Sequence, residues 1–232
     1  QIDGGERRLT DSKYSEYDAV FSPDGTRLLF SFNKASLNQG DIEVYSIASD
    51  GSDLTPVAVT RDQLSHEEWP SWSPDGTKIV FTSVKDDAAG GDTNGDGGAT
   101  TPGGGNWREL AISGADSSMS ALRNCIIRYA GDNSYQSTPG YWHYAYGTLM
   151  LHDTSASVEK CEVSNSGNVG VYCRASCLAT IAGNTIHSNA GHGLYADDSY
   201  NTVLDPLPIR GNEIRGSAAN AAISVNANTA CS

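Results

Sequence analysis

Residues 162–172, EVSNSGNVGVY, and residues 185–195, TIHSNAGHGLY, superpose without a gap at a step of 23 residues (185 − 162 = 23). The same step separates Val158 from Ile181, Val163 from Ile186 and Cys161 from Asn184. Val171-Tyr172 falls on Leu194-Tyr195, and Gly147, Gly170 and Gly193 continue the step (170 − 147 = 23; 193 − 170 = 23). Downstream, Asn212-Glu-Ile214 repeats Asn184-Thr-Ile186 with about five extra residues, placed at Tyr200 to Pro206. Upstream, Asn124-Cys-Ile126 opens a similar unit, interrupted by an aromatic insertion from Tyr135 to Tyr146. Short β-branched runs recurring every 20–25 residues, separated by Asn/Gly turns, are the mark of a solenoid, in which each unit buries its apolar face only against its neighbours. Leucine-rich repeats are excluded because no Leu-x-x-Leu-x-Leu frame occurs.

The pattern resembles the right-handed parallel β-helix of the pectate-lyase-like and NosD-like families. That resemblance implies three short strands per coil, inward Val, Ile and Leu ladders, and Asn184 and Asn212 stacked at one turn. About four to five coils are expected over residues 107–232. The five cysteines, Cys125, Cys161, Cys173, Cys177 and Cys231, all lie in this half. None forms a CxxC pair and no His sits near them at zinc-like spacing, so disulfides in an oxidising compartment are expected. Cys125 and Cys161 fall near equivalent positions of neighbouring coils, which stack about 4.8 Å apart and so within disulfide reach. Cys173 and Cys177 flank one corner and can pair locally. Other connectivities stay open, and an odd count leaves one cysteine unpaired or intermolecular.

The first half carries a different repeat. FSPDGTRLLF at 21–30 matches WSPDGTKIVF at 72–81, 51 residues on (72 − 21 = 51). In each, Ser-Pro-Asp-Gly makes a tight turn, with Pro presetting φ and Gly supplying positive φ, and a β-branched strand follows. Residues 41–48, DIEVYSIA, read as a further strand. These residues resemble the TolB-type β-propeller repeat over residues 1–84, which implies antiparallel blades and protein contacts rather than catalysis. Two blades do not close a ring. Ile79 to Ser83 is expected to end the blades and begin the β-helix, giving one continuous sheet. The fold expected is thus all-β: partial propeller-like antiparallel blades followed by a right-handed parallel β-helix.

Between the halves, residues 85–106 are acidic and glycine-rich. Asp92, Asn94 and Asp96, followed by Gly97, place oxygen-bearing side chains at alternate positions, as in the opening of a calcium loop. The glutamate that closes an EF-hand is absent, since the twelfth position is Gly103. Asp86 and Asp87 are the candidates for the missing carboxylates, and Ca2+ is the expected ion; a solvated linker is the alternative. The net charge of −13 repels nucleic acid and anionic membranes, and no apolar window spans a bilayer. A chain opening at Gln1 reads as a secreted, mature protein, extracellular or at the cell surface, or as a trimmed one.

No catalytic constellation stands out. Asp197-Asp198 are adjacent at an expected turn; His152-Asp153, His187 and His192 are separated by the 23-residue frame, with a face shared by His192, Asp197 and Asp153 as the alternative; Arg128, Arg174 and Arg210 join no carboxylate cluster in register. The aromatic insertion offers Tyr141, Trp142, Tyr144 and Tyr146, with Tyr135 and His143, as a surface for sugar rings or protein partners. The reading is a secreted structural or adhesive β-solenoid, self-assembling head to tail through open strand edges. The alternatives are a carbohydrate-binding module on an extracellular glycan and a calcium-dependent polysaccharide lyase.

Overall fold

A computed structural model describes residues 7–13, 15–33, 42–59, 71–92, 94–113, 121–138, 141–175, 177–197, 209–218 and 222–226. Every regular element among them is a β-strand. The first six are β1 (Ser15–Phe21), β2 (Arg27–Asn33), β3 (Ile42–Ala48), β4 (Thr55–Val59), β5 (Ser71–Trp72) and β6 (Ile79–Phe81). Next come β7 (Leu110–Ser113), β8 (Ala121–Arg123), β9 (Cys125–Arg128), β10 (Tyr135–Thr138) and β11 (Tyr141–Tyr144). The solenoid continues with β12 (Gly147–His152), β13 (Ser157–Glu159), β14 (Glu162–Ser164), β15 (Val169–Arg174) and β16 (Thr180–Ala182). It ends with β17 (Thr185–His187), β18 (Leu194–Asp197), β19 (Ile209–Arg210), β20 (Glu213–Arg215) and β21 (Ile223–Asn226).

Three parallel ladders form the body. Sheet I holds β7, β12, β15, β18 and β21; sheet II holds β8, β13, β16 and β19; sheet III holds β6, β9, β14, β17 and β20. The chain visits them in the order I, II, III, so each circuit is one coil. In-register pairing stacks like residues: Leu110, Leu149, Val171 and Leu194 in sheet I, Leu122, Val158 and Ile181 in sheet II, and Ile127, Val163 and Ile186 in sheet III. All these side chains are buried. Each contributes about 1.5–3 kcal/mol relative to exposure. A strand of alternating residues sends one set inward, which is why short β-branched runs suffice for this core.

The corners share one device, a single residue in the left-handed region. Between sheets II and III these are Asn124, Lys160, Gly183 and Gly211; between III and I they are Tyr129, Asn165, Ser188 and Gly216. Corner spacing measures the coils: 160 − 124 = 36, 183 − 160 = 23 and 211 − 183 = 28 residues. The shortest is the 23-residue unit. The longest adds the antiparallel β10–β11 hairpin. The five extra residues of the last (28 − 23 = 5) fall after β18, among residues outside those described.

One element of the sequence repeat slips. Gly147 pairs with Val169 rather than with Gly170, an offset of 22. Ser157 pairs with Thr180, an offset of 23. The additional residue lies in the turn that carries Cys177, so the corner and not the strand absorbs it. Val163 with Ile186, Val158 with Ile181 and Leu194 with Val171 pair as the repeat requires.

The N-terminal strands β1, β2, β3 and β4 form an antiparallel meander, and β4 pairs antiparallel with β8. Sheet II is therefore one eight-stranded sheet running from the meander into the solenoid. Both Ser-Pro-Asp-Gly turns form as expected: Gly25 N donates to Ser22 O and Gly76 N to Ser73 O, each at 2.8 Å. The Asp24 and Asp75 carboxylates each accept the Ser hydroxyl at 2.6 Å and the Thr amide at 3.0 Å. The second copy departs from the first. It supplies only the β5–β6 hairpin among the described residues, and β6 turns to pair parallel with β9. Ile79–Phe81 thus belongs to both halves. No propeller ring closes among the described residues, because the edge a second blade would use is taken up by the solenoid.

Candidate functional site: an aromatic strip and an acidic loop

Polar turns between stacked coils need partners, and asparagine supplies them. Asn184 Oδ1 accepts the Cys161 amide at 2.8 Å, and Asn212 Oδ1 accepts the Asn184 amide at 2.9 Å. Asn184 Nδ2 donates to Val158 O at 2.9 Å, and Asn212 Nδ2 to Ile181 O at 2.8 Å. The stacking expected of Asn184 and Asn212 is present. A second turn repeats it, with Asn189 Oδ1 accepting the Ser166 amide at 3.0 Å. These largely buried ladders hold the turns of successive coils in register.

On the outer face of sheet I, the paired row runs Ala111, Met150, Tyr172, Tyr195 and Ser224. Tyr172 and Tyr195 stack at 5.5 Å between ring centroids, and His192 stacks on Tyr195 at 5.5 Å. Tyr146 meets Tyr172 edge-on at 5.9 Å. Tyr144 joins Tyr146 at 5.5 Å, and Tyr135 joins Tyr144 at 5.0 Å. Six rings therefore form one strip from the β10–β11 hairpin down the sheet. Its character changes along its length: Tyr135, Tyr144 and Tyr146 are 58%, 45% and 36% exposed, while Tyr172 is 4% exposed. The Tyr172 hydroxyl donates to Asp197 Oδ2 at 2.9 Å, and burial together with that carboxylate raises its pKa. The buried end anchors the strip, and the other end is exposed to solvent.

Of the expected aromatic ligand residues, Tyr144 and Tyr146 stand in this strip. Tyr141 and Trp142 lie in β11, where Tyr141 pairs with Thr138 and Trp142 with Ser137; their side chains lie outside the described set. Tyr172, Tyr195 and His192 join the strip from outside the aromatic insertion. The Tyr172–Tyr195 stack is readable from the repeat, because Val171-Tyr172 superposes on Leu194-Tyr195 and one coil step places such residues ring over ring; His192 falls on Val169 and carries no such signal.

The acidic loop leaves β6 and returns at β7. Carboxylate oxygens of Asp87, Asp92 and Asp96 all lie within 4.8 Å of one another. Calcium takes oxygens at about 2.3–2.6 Å, so donors on opposite sides of one ion stand about 5 Å apart. The donor set fits that ion. The loop is preformed by its own hydrogen bonds. Asp92 accepts the Asp96 and Gly97 amides, each at 2.9 Å, and Asp96 accepts those of Gly98, Ala99 and Thr100 at 2.8–3.0 Å. Asn94 turns its Nδ2 to Asp96 Oδ2 at 2.8 Å. Burial raises the Asp87 pKa, and the Asp92, Asp96 and Asp86 carboxylates add to the rise.

Asp86 takes a different part from the one expected. It is buried, 3% exposed, and its Oδ2 receives Arg128 Nη2 at 2.6 Å, Arg128 Nε at 2.7 Å and Thr82 Oγ1 at 2.5 Å. This carboxylate is neutralised by Arg128 and tethers the loop to sheet III. Trp107 Nε1 donates to Arg128 O at 2.8 Å and closes the far end of the loop on the same residue. Glycines allow the loop to lie against the coil. A Cβ on Gly104 would stand 2.6 Å from Gly167 N, and one on Gly167 would stand 2.6 Å from Gly131 O.

Cys173 and Cys177 form the local disulfide expected at their corner. Cys125 and Cys161, expected as a second one, stand as free buried thiols. Their register is as expected, with Ile126 paired to Glu162. Cys231 and Asp198 lie outside the described residues. Asp197 is engaged by Tyr172, and its row runs His152, Arg174, Asp197, so the strand register separates it from His152 by two coil steps.

The C-terminal part of the chain, residues 105–232, matches the family model described as a right-handed beta helix region. No curated protein and no solved structure matches the chain. The match spans more than half of the 232 residues and coincides with the three parallel ladders. On both grounds the protein belongs to the right-handed β-helix family.

Proposed function

We propose that the protein is a secreted, non-catalytic extracellular β-solenoid that adheres to glycans through the aromatic strip on sheet I. The observation that carries this reading is the graded strip itself: Tyr172 and Tyr195 are fixed by stacking, and Tyr135, Tyr144 and Tyr146 continue from them into solvent. Exposed rings held by buried ones lose little freedom on binding, which suits stacking against the apolar faces of sugars. A net charge of −13 favours neutral glycans over polyanionic ones. A glycan array followed by calorimetry tests it. Tyr144→Ala is expected to weaken binding by about five- to tenfold, the ~1–1.4 kcal/mol of one ring contact. A Tyr135/Tyr144/Tyr146 triple alanine variant that binds like the parent would sink the reading.

The Asp87, Asp92 and Asp96 convergence supports a second element, a calcium ion held by the loop. Three carboxylates facing one another, one of them with a raised pKa, are relieved by a divalent cation. Thermal unfolding in millimolar calcium should rise by several degrees over EDTA, and Asp92→Asn should remove the rise. An unchanged midpoint in the parent protein overturns the site. Filament formation rests on separate ground, the open edges of sheets. The outermost described strand, β1, carries a bulge between Tyr17 and Val20, a feature that opposes edge pairing. Negative-stain microscopy with calcium and with EDTA distinguishes filaments from single particles.

A further inference from the structure

Cys125 and Cys161 occupy the ladder position that Asn184 and Asn212 hold in later coils. Pairing of Ile126 with Glu162, Glu162 with Thr185 and Thr185 with Glu213 puts the four preceding residues in one column. The chemistry of the column is continuous. Cys161 Sγ reaches Leu122 O at 3.5 Å, the carbonyl one coil back, as Asn184 Nδ2 reaches Val158 O and Asn212 Nδ2 reaches Ile181 O. Cys161 Sγ also contacts Glu159 O at 3.3 Å, and Cys125 Sγ contacts Arg123 O at 3.3 Å. Both thiols are buried, at 0% and 2% exposure. Their titrations are linked: the neighbouring Cys125 lowers the pKa of Cys161, while Cys161 and burial raise that of Cys125.

Thiols here are therefore weaker substitutes for asparagine, and what they add over asparagine is redox chemistry. We propose that Cys125 and Cys161 form an oxidisable cross-link site, at which a small-molecule disulfide oxidant welds the first two complete coils together. The Cys161 thiolate attacks the oxidant RSSR, forming a mixed disulfide and releasing RS⁻. Cys125 then gives up its proton and attacks the Cys161 sulfur, releasing the second RSH. One S–S bond forms in the protein, one breaks in the oxidant, and two electrons pass from protein to oxidant. The site sits at a junction. Cys125 pairs with Ile79 of β6, and Leu122, whose carbonyl Cys161 contacts, pairs with Ala58 of β4. The weld would hold the solenoid where both N-terminal segments join it. Cys173 and Cys177 lie on sheet I and its turn, away from this column.

The test uses the full chain, purified under reductant and then incubated with oxidised glutathione. The expected result is loss of two titratable thiols, a Cys125–Cys161 linked peptide on non-reducing mass mapping, and a urea midpoint that rises on oxidation and returns with dithiothreitol. Cys161→Asn should fold, since asparagine is the residue of this column, and should show no oxidant-dependent shift. Should that variant fail to fold, Cys125→Ala supplies the same comparison. Two thiols persisting in the oxidised native protein, stable mixed disulfides with glutathione, or pairing of either cysteine with Cys231 would each overturn the proposal.

Discussion

Replacing Asn184 with alanine probes what keeps successive coils in register. Asn184 is 2% exposed and serves three partners: the Cys161 amide at 2.8 Å, Val158 O at 2.9 Å and Asn212 Oδ1 at 2.9 Å. Alanine leaves the Cys161 amide and the Val158 carbonyl buried without that partner. Each such group costs about 1–3 kcal/mol. Asn212 Oδ1 keeps the Asn184 backbone amide at 2.9 Å, so its loss is small. The sum is a destabilisation of about 2–6 kcal/mol, a large share of the roughly 5–15 kcal/mol typical of a folded domain. Urea unfolding followed by circular dichroism reads it. Asn184→Asp keeps an acceptor for Cys161 but sets a carboxylate oxygen against Val158 O and Asn212 Oδ1 at a buried site, so it should cost at least as much as alanine. Asn212→Ala, at a half-buried site nearer the end of the described ladder, should cost less than Asn184→Ala. A loss below about 1 kcal/mol for Asn184→Ala would show that the apolar ladders alone set the register and that the asparagine column is decoration.

Arg128→Met removes the partner of the buried Asp86 carboxylate and should destabilise the loop–coil contact by about 3–5 kcal/mol, seen as hydrogen exchange opening across residues 82–109. Gly167→Ala places a methyl 2.6 Å from Gly131 O and 2.8 Å from Gly105 N, both backbone atoms, so the loop must lift from the coil; limited proteolysis between residues 90 and 105 should accelerate, and an unchanged digest would refute the close approach. Asp24 and Asp75 have pKa values lowered to about 2 by the Ser22 and Ser73 hydroxyls and the following Thr groups. A depressed carboxylate stabilises the fold above its unfolded value near 3.8 and loses that contribution as pH falls through 2. The Thr26 and Thr77 amide signals should therefore shift together between about pH 4 and 2, and a midpoint near 4 would contradict the turn geometry.

Much of this molecule was legible before any coordinate. A solenoid coil must place equivalent side chains on one another at every turn, so its period is written into the chain. The step from Val163 to Ile186 and from Cys161 to Asn184 gave the strand register directly, and Ser-Pro-Asp-Gly gave both N-terminal turns because Pro and Gly act locally. The same logic contained the Tyr172–Tyr195 stack. It failed at Gly147, where one residue inserted in a corner shifts the count without changing the strands, since a corner tolerates length that a ladder does not.

Interactions between segments with no shared period were decided by the tertiary structure alone. Nothing local in residues 55–59 announces that β4 will pair with β8. Asp86 and Asp87 are neighbours of like chemistry, yet one neutralises Arg128 inside the molecule and the other faces two carboxylates outside it. Their alternation along an irregular loop depends on what the solenoid presents opposite each side chain. A repeat can be read from one chain because each unit meets a copy of itself; a loop or cap meets something different, and only the folded surface says what.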